Sequence, residues 1–201
     1  MKLKKRYFII AILIIIFIVL LMLVLSRGVL NIDKKAIDFV ASIRTPFLTT
    51  FFKLITKLCN ATFLVILTAI LLVFWKDKKE KIFIPINLGA IALLNFILKI
   101  VIRRNRPTDM LIKQGGYAFP SGHAMLSVAF YGFLCYLIYR QVKNKILRIV
   151  LLIIMSLLIL LIGFSRIYLG VHYLSDVLAG YLLGLIYLIV FIEAKEKMKN
   201  V

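Results

Sequence analysis

The sequence predicts an all-α, polytopic membrane protein, and three observations carry that expectation. Hydrophobic residues make up 63% of the 201 positions and charged residues only 17%, where a soluble domain carries roughly one quarter charged. The apolar residues gather into runs close to the ~20 positions needed to cross a bilayer's hydrocarbon core. The short stretches between those runs hold clusters of Lys and Arg. A chain of this length and pattern holds about six spans joined by short connections.

In chain order the spans are expected at about 7–26, 60–75, 82–102, 122–139, 149–164 and 176–192. The first follows Lys2, Lys4, Lys5 and Arg6; it is too long for a secretory signal and lacks a small-residue cleavage site, so a retained span is expected. The second is short and has room to borrow residues from before Asn60. Between them, residues 29–60 mix Ile32, Ile37, Val40, Ile43, Phe47, Phe51 and Phe52 with Asp33, Lys34, Lys35, Asp38 and Arg44. That mixture reads as an interfacial helical segment lying over the bundle and broken near Pro46; the alternative is a gate for a lipid substrate. No internal repeat or low-complexity tract interrupts the chain, so residues 1–201 are expected to form a single membrane-embedded domain.

The charge pattern sets the orientation. Lys76, Lys78, Lys79 and Lys81 form one cluster, Arg140, Lys143, Lys145 and Arg148 a second, and Lys195, Lys197 and Lys199 a third. With six spans these share a side with the N-terminal cluster, and the positive-inside rule makes that side cytoplasmic, with both termini. The expected location is the cell membrane, the other face being extracytoplasmic. A net charge of +19 raises nucleic acid as a partner, but no basic surface outside the membrane is long enough to serve it. Contact with anionic lipid accounts for the charge better, and no obligate protein partner is evident. Cys59 and Cys135 give no disulfide framework.

Both histidines fall on the extracytoplasmic side of this map, where three unusual patches meet. The first is K-I-V-I-R-R-N-R-P, Lys99 to Pro107, where a span ends in cations that either snorkel and hold lipid head groups or line a site. The second is F-P-S-G-H, Phe119 to His123. Pro120 stops any preceding helix, Ser121 suits an N-cap, and Gly122 allows close backbone approach. The resulting helix N-terminus suits a phosphate, with His123 beside the anion; a plain interfacial His is the alternative. The third is S-R-I-Y-L-G-V-H-Y-L-S-D, Ser165 to Asp176. Gly170 permits a turn, and His172 and Asp176 share a face if a helix begins near His172. A carboxylate holding one imidazole nitrogen frees the other as nucleophile or base; the plainer reading makes Asp176 a helix cap. Together the patches collect cations, two histidines, a carboxylate and a helix N-terminus, and so much charge beside hydrocarbon calls for a shared anionic ligand.

These three blocks resemble the signature of the type 2 phosphatidic acid phosphatase family, K-x6-R-P, then P-S-G-H, then S-R-x5-H-x3-D. Lys99 with Arg106-Pro107, Pro120 to His123, and Ser165-Arg166 with His172 and Asp176 match it without departure. The signature residues span 99–176, and the six-span plan extends the likeness to nearly the whole chain. The resemblance implies a phosphatase with a phosphohistidine intermediate. In that role His172 attacks phosphorus, Asp176 orients it, and His123 protonates the leaving oxygen and then activates water. Lys99, Arg106, Arg166, Ser121 and the Gly122 N–H hold the phosphate oxygens.

No cofactor is implied, and no His, Cys or carboxylate spacing suggests zinc or magnesium. A site at the outer interface favours a membrane lipid phosphate as substrate. Small bacterial members of the family act on phosphatidylglycerophosphate or undecaprenyl diphosphate, and the short loops resemble the phosphatidylglycerophosphatase type. Arg103, Arg104 and Lys113, beyond the signature, have two readings: binding a second phosphate or acidic head group, and general lipid anchoring. A lipid phosphotransferase and a non-catalytic anionic-lipid transporter remain as rival classes; a vanadate-dependent haloperoxidase, which shares the phosphate-site logic, fits a membrane-embedded chain poorly.

Overall fold

The computed structural model describes residues 2–75 and 77–199. Lys76 and the side chains of Lys2, Lys4, Lys5 and Lys199, all counted in the basic clusters above, lie outside the described residues. Within those residues every regular element is a helix: α1 (Lys2–Arg27), α2 (Asn31–Ser42), α3 (Pro46–Lys57), α4 (Ala61–Phe74), α5 (Lys78–Lys81), α6 (Phe83–Ile102), α7 (Gly122–Gln141), α8 (Lys145–Tyr168) and α9 (Leu174–Lys199). Five stretches are long and apolar enough to cross a membrane: Arg6–Arg27, Lys78–Ile102, Gly122–Gln141, Lys145–Tyr168 and Leu174–Met198. The pair α3 and α4, bent by 51°, raises the total to six if it counts as one broken span.

That pair bears on two expectations, the short second span at 60–75 and the interfacial segment at 29–60. The run expected at 60–75 forms only the 14 residues of α4, about 21 Å of helix against a hydrocarbon core of ~30 Å. It reaches membrane length only with α3, by borrowing residues from before Asn60 as the sequence allows, and those residues fall inside the stretch expected to be interfacial. The local reason is legible: Thr45 accepts a hydrogen bond from the Leu48 N–H at 3.2 Å and Pro46 occupies the first turn, so α3 starts firmly. Its Phe52 then packs between Phe164 and Tyr168 of α8, with ring centroids 5.3 and 4.5 Å away. The helix α8 in turn runs beyond the expected 149–164, because Asn144 caps it by accepting from the Leu147 N–H at 3.0 Å and Arg166 extends its far end. Charged end residues lower the apolar signal without ending a helix.

The helix α7 is the centre of the bundle, packed against α6, α8 and α9, while α1 leans on α9 and presents apolar side chains outward, as a lipid-facing helix should. Close contact between α7 and α9 depends on Gly180 and Gly184, which share a helix face. A Cβ at Gly180 would sit 2.7 Å from the Ser121 carbonyl oxygen and 2.9 Å from the Ala124 Cβ. At Gly184 it would meet the Met125 oxygen and the Val128 Cβ, both at 2.8 Å. Small residues four apart are the usual way for membrane helices to approach closely. Gly180→Val is therefore expected to cost about 1–3 kcal/mol by overpacking and to lower the thermal unfolding midpoint in detergent. An unchanged midpoint would show that the two helices have room to part.

Gly170 makes a tight turn, with φ +69° and a hypothetical Cβ only 2.0 Å from the Asp109 carbonyl oxygen. The crossing is stitched by the Leu111 N–H donating to Leu169 O at 3.0 Å. This brings the 103–121 connection over the 169–173 turn, so all three sequence patches meet at one end of the bundle.

Candidate active site

Lys99, in the last turn of α6, donates from Nζ to the Tyr117 carbonyl. Arg106 donates to the carbonyls of Gly116 at 2.9 Å, Tyr117 at 3.0 Å and Val171 at 2.7 Å. Its Nη1 also lies 3.1 Å from Nε2 of His172. A guanidinium only donates, so His172 Nε2 is the acceptor and the imidazole proton sits on Nδ1. That nitrogen faces Asp176 Oδ2 at 3.4 Å. The same oxygen accepts from the Tyr173 N–H at 2.9 Å, so Asp176 caps α9 while it faces His172. His172 is 2% exposed. Burial first, and then the cations Arg166, Arg106 and Lys99, hold it well below the usual imidazole value, so it is neutral with a lone pair on Nε2.

Ser121 stands at the N-cap position of α7, but its side chain makes no capping hydrogen bond. Its N–H donates to Asp176 O at 2.9 Å, while Oγ is buried without a partner. The cap expected from sequence is therefore absent, and the hydroxyl is uncommitted. Gly122 lies close against Asn95: a Cβ there would sit 2.9 Å from Asn95 Oδ1, and that side chain would have to shift. His123, in the first turn of α7, has Nε2 3.0 Å from Asn60 Oδ1, and its charged neighbours include Arg166, Lys99 and Arg106. Arg166 is 1% exposed. It donates to Thr56 Oγ1 and, at 2.7 Å, to Gln114 Oε1, while its Nε is buried without a partner.

Lys99, Arg106 and Arg166 thus converge on His172, and none of them forms an ion pair with a carboxylate among the described residues. Arg166 is buried and Lys99 and Arg106 are half-buried; desolvated cations without an ion-pair partner are costly, and an anion placed among them would lower that cost. Thr56, Asn60, Asn95 and Gln114 were not singled out from sequence. Their residue types are common, and only the tertiary contacts mark them. Arg103 turns back to the Ile100 carbonyl at 2.8 Å, and Arg104 is engaged with Asp33 and Asp176, so a head-group role for Arg104 finds no free guanidinium. Cys59 and Cys135 are free thiols.

A neutral imidazole facing a carboxylate, three cations without an ion-pair partner among the described residues and a helix N-terminus, gathered at one end of membrane-length helices, form a cluster chemically suited to an anionic group. Residues 80–199 match the family model of the PAP2 superfamily, and the chain belongs to that superfamily. It is 33% identical over 164 residues to phosphatidylglycerophosphatase B of Bacillus subtilis (strain 168), covering 79% of this chain and 80% of that protein. It is 31% identical over 143 residues to an undecaprenyl-diphosphatase of Sulfolobus acidocaldarius, covering 67% and 65%. The crystal structure of a transmembrane PAP2 type phosphatidylglycerolphosphate phosphatase from Bacillus subtilis superposes with a TM-score of 0.85 at 29% identity, covering 94% of this chain and 96% of that one. Aquifex aeolicus LpxE, at 24% identity and a TM-score of 0.68 over 82% and 96% of the two chains, shares the fold. The chain is a multi-pass membrane protein.

Proposed function

We propose that this protein is a metal-independent lipid phosphatase acting on the phosphomonoester of phosphatidylglycerophosphate, on the diphosphate of undecaprenyl diphosphate, or on both. The convergence of Lys99, Arg106 and Arg166, without carboxylate partners, on the lone pair of His172 carries this reading. Phosphatase-named relatives support it.

In the first step the His172 Nε2 lone pair forms a bond to phosphorus as the phosphorus–oxygen bond to the lipid breaks. Protonated His123 gives its proton to the leaving oxygen, and the lipid alcohol (or, from the diphosphate, the lipid monophosphate) departs. In the second step neutral His123 takes a proton from water, the oxygen of that water attacks phosphorus, and the N–P bond breaks to return the electron pair to His172. Asp176 holds the proton on Nδ1 and balances the charge that appears on the ring. Lys99, Arg106 and Arg166, with the Ser121 hydroxyl and the Gly122 N–H, bind the phosphate oxygens as charge shifts between them. Guanidinium forks suit those oxygens better than point charges.

The same proposal takes α3 and α4 as one of six spans and residues 1–201 as one domain. The interfacial segment is then reduced to α2, the termini are cytoplasmic, and the site opens at the extracytoplasmic face. The test is phosphate release in EDTA by detergent-solubilised protein from phosphatidylglycerophosphate, undecaprenyl diphosphate and phosphatidic acid. Release from one of the first two, fastest among the three, is the expected result. Release only after divalent metal is restored would overturn metal independence. No release by folded protein would shift the assignment to a phosphotransferase or a lipid carrier.

A further inference from the structure

Arg104 lies in the turn leaving α6, and its side chain is 8% exposed. Nη2 donates to Gly28 O at 2.6 Å and to Asp33 Oδ2 at 2.9 Å. Nη1 donates to Ser175 Oγ at 2.8 Å and to Asp176 Oδ1. The guanidinium carbon stacks 4.3 Å from the Tyr173 ring centroid. Asp33, on α2 and fully buried, is anchored besides. Its Oδ1 accepts from the Ser175 N–H at 2.8 Å, and its Oδ2 accepts from the Ser175 hydroxyl at 2.8 Å and the Leu30 N–H at 3.1 Å. Two buried carboxylates therefore share one cation, and one of them is the partner of His172. The fork is filled by protein groups on both sides.

We propose that Arg104 is a positioning residue for phosphoryl transfer: bridging Asp33 and Asp176, it keeps the Asp176 carboxylate charged and turned so that Oδ2 faces His172 Nδ1. The inference rests on His172 as the nucleophile. Without Arg104, two buried anions would remain with no shared cation, and the catalytic pair would bind a proton more readily. Without the charge of Asp33, Arg104 would serve Asp176 alone, with the opposite effect. Helix α2 is thereby wired into the site through Asp33. The groups facing Asp176 are Arg104, Lys99 and Tyr173, with Asp33 across the fork. Those facing His172 are Arg106, Arg166, Lys99 and, from α7, His123.

The experiment compares Arg104→Gln, Arg104→Lys and Asp33→Asn with wild type, measuring kcat, KM and the pH profile of kcat/KM on whichever of the three lipids wild type turns over fastest. Arg104→Gln is expected to lower kcat by on the order of 10- to 100-fold, as loss of an orienting partner does, with KM changed by less than about threefold. Its acid limb moves to higher pH, and that of Asp33→Asn to lower pH. Arg104→Lys keeps the charge but loses the fork, so it restores the limb and not kcat. A raised KM with kcat intact would place Arg104 on the substrate and overturn the proposal. An unmoved acid limb in folded Arg104→Gln would make it a simple helix tie. If that variant does not fold, an unmoved limb in Asp33→Asn is decisive against it. Activity surviving His172→Ala would instead remove the nucleophile assignment, whatever the Arg104 variants do.

Discussion

His172→Ala is expected to lose phosphate release by on the order of 10⁴-fold or more, since no other group replaces a nucleophile. The reasoning starts from the tautomer. Arg106 donates toward Nε2 and Asp176 faces Nδ1, so only Nε2 has electrons to offer. Burial first, and then the surrounding cations, keep the ring neutral, so as pH falls the nucleophile stays deprotonated through the ordinary histidine range. The acid limb of kcat/KM should then lie below about pH 6.5, the unperturbed value. Wild-type protein quenched under denaturing alkaline conditions during turnover of radiolabelled substrate should retain phosphate on the chain, and His172→Ala should not. Turnover by the alanine variant at a wild-type rate would remove the covalent mechanism. A folded variant that still binds substrate would confirm that the loss is chemical.

Arg166→Gln should separate function from stability in an unusual way. Arg166 is buried, keeps Nε without a partner and has cationic rather than anionic neighbours. Removing a charge that is desolvated and repelled is expected to leave the unfolding midpoint unchanged or raise it. Turnover should fall by about 10²- to 10³-fold, the usual cost of losing one transition-state donor. Arg166→Lys should not restore it, because the fork that reaches Thr56 and Gln114 is lost. Inorganic phosphate should raise the midpoint of wild type more than that of Arg166→Gln, since a ligand stabilises the state it binds. A lower midpoint with turnover intact would make Arg166 a structural residue.

The residues expected to act were readable because each patch is local. Lys99 and Arg106, or His172 and Asp176, lie within a turn or two of one another, and their chemistry is unusual beside hydrocarbon. The helix α4 falls where the apolar run at 60–75 places it, but hydropathy does not show the bend at residues 58–60 that joins it to α3. Gly180 and Gly184 passed unremarked, since a glycine's contacts lie on the other helix.

By itself the sequence determined an all-helical membrane chain, the chemistry of its three polar patches and their expected gathering on one face, because hydrophobic periodicity and residue type are properties of short segments. Tertiary structure alone decided which partners complete them. Asn60 reaches His123 across 63 positions and Thr56 reaches Arg166 across 110. Asp33 meets Arg104 across 71. Such pairings follow from how close α7 and α9 can approach and where α2 and α3 come to rest on α8, and packing of that kind is a sum over many distant contacts that no local pattern encodes.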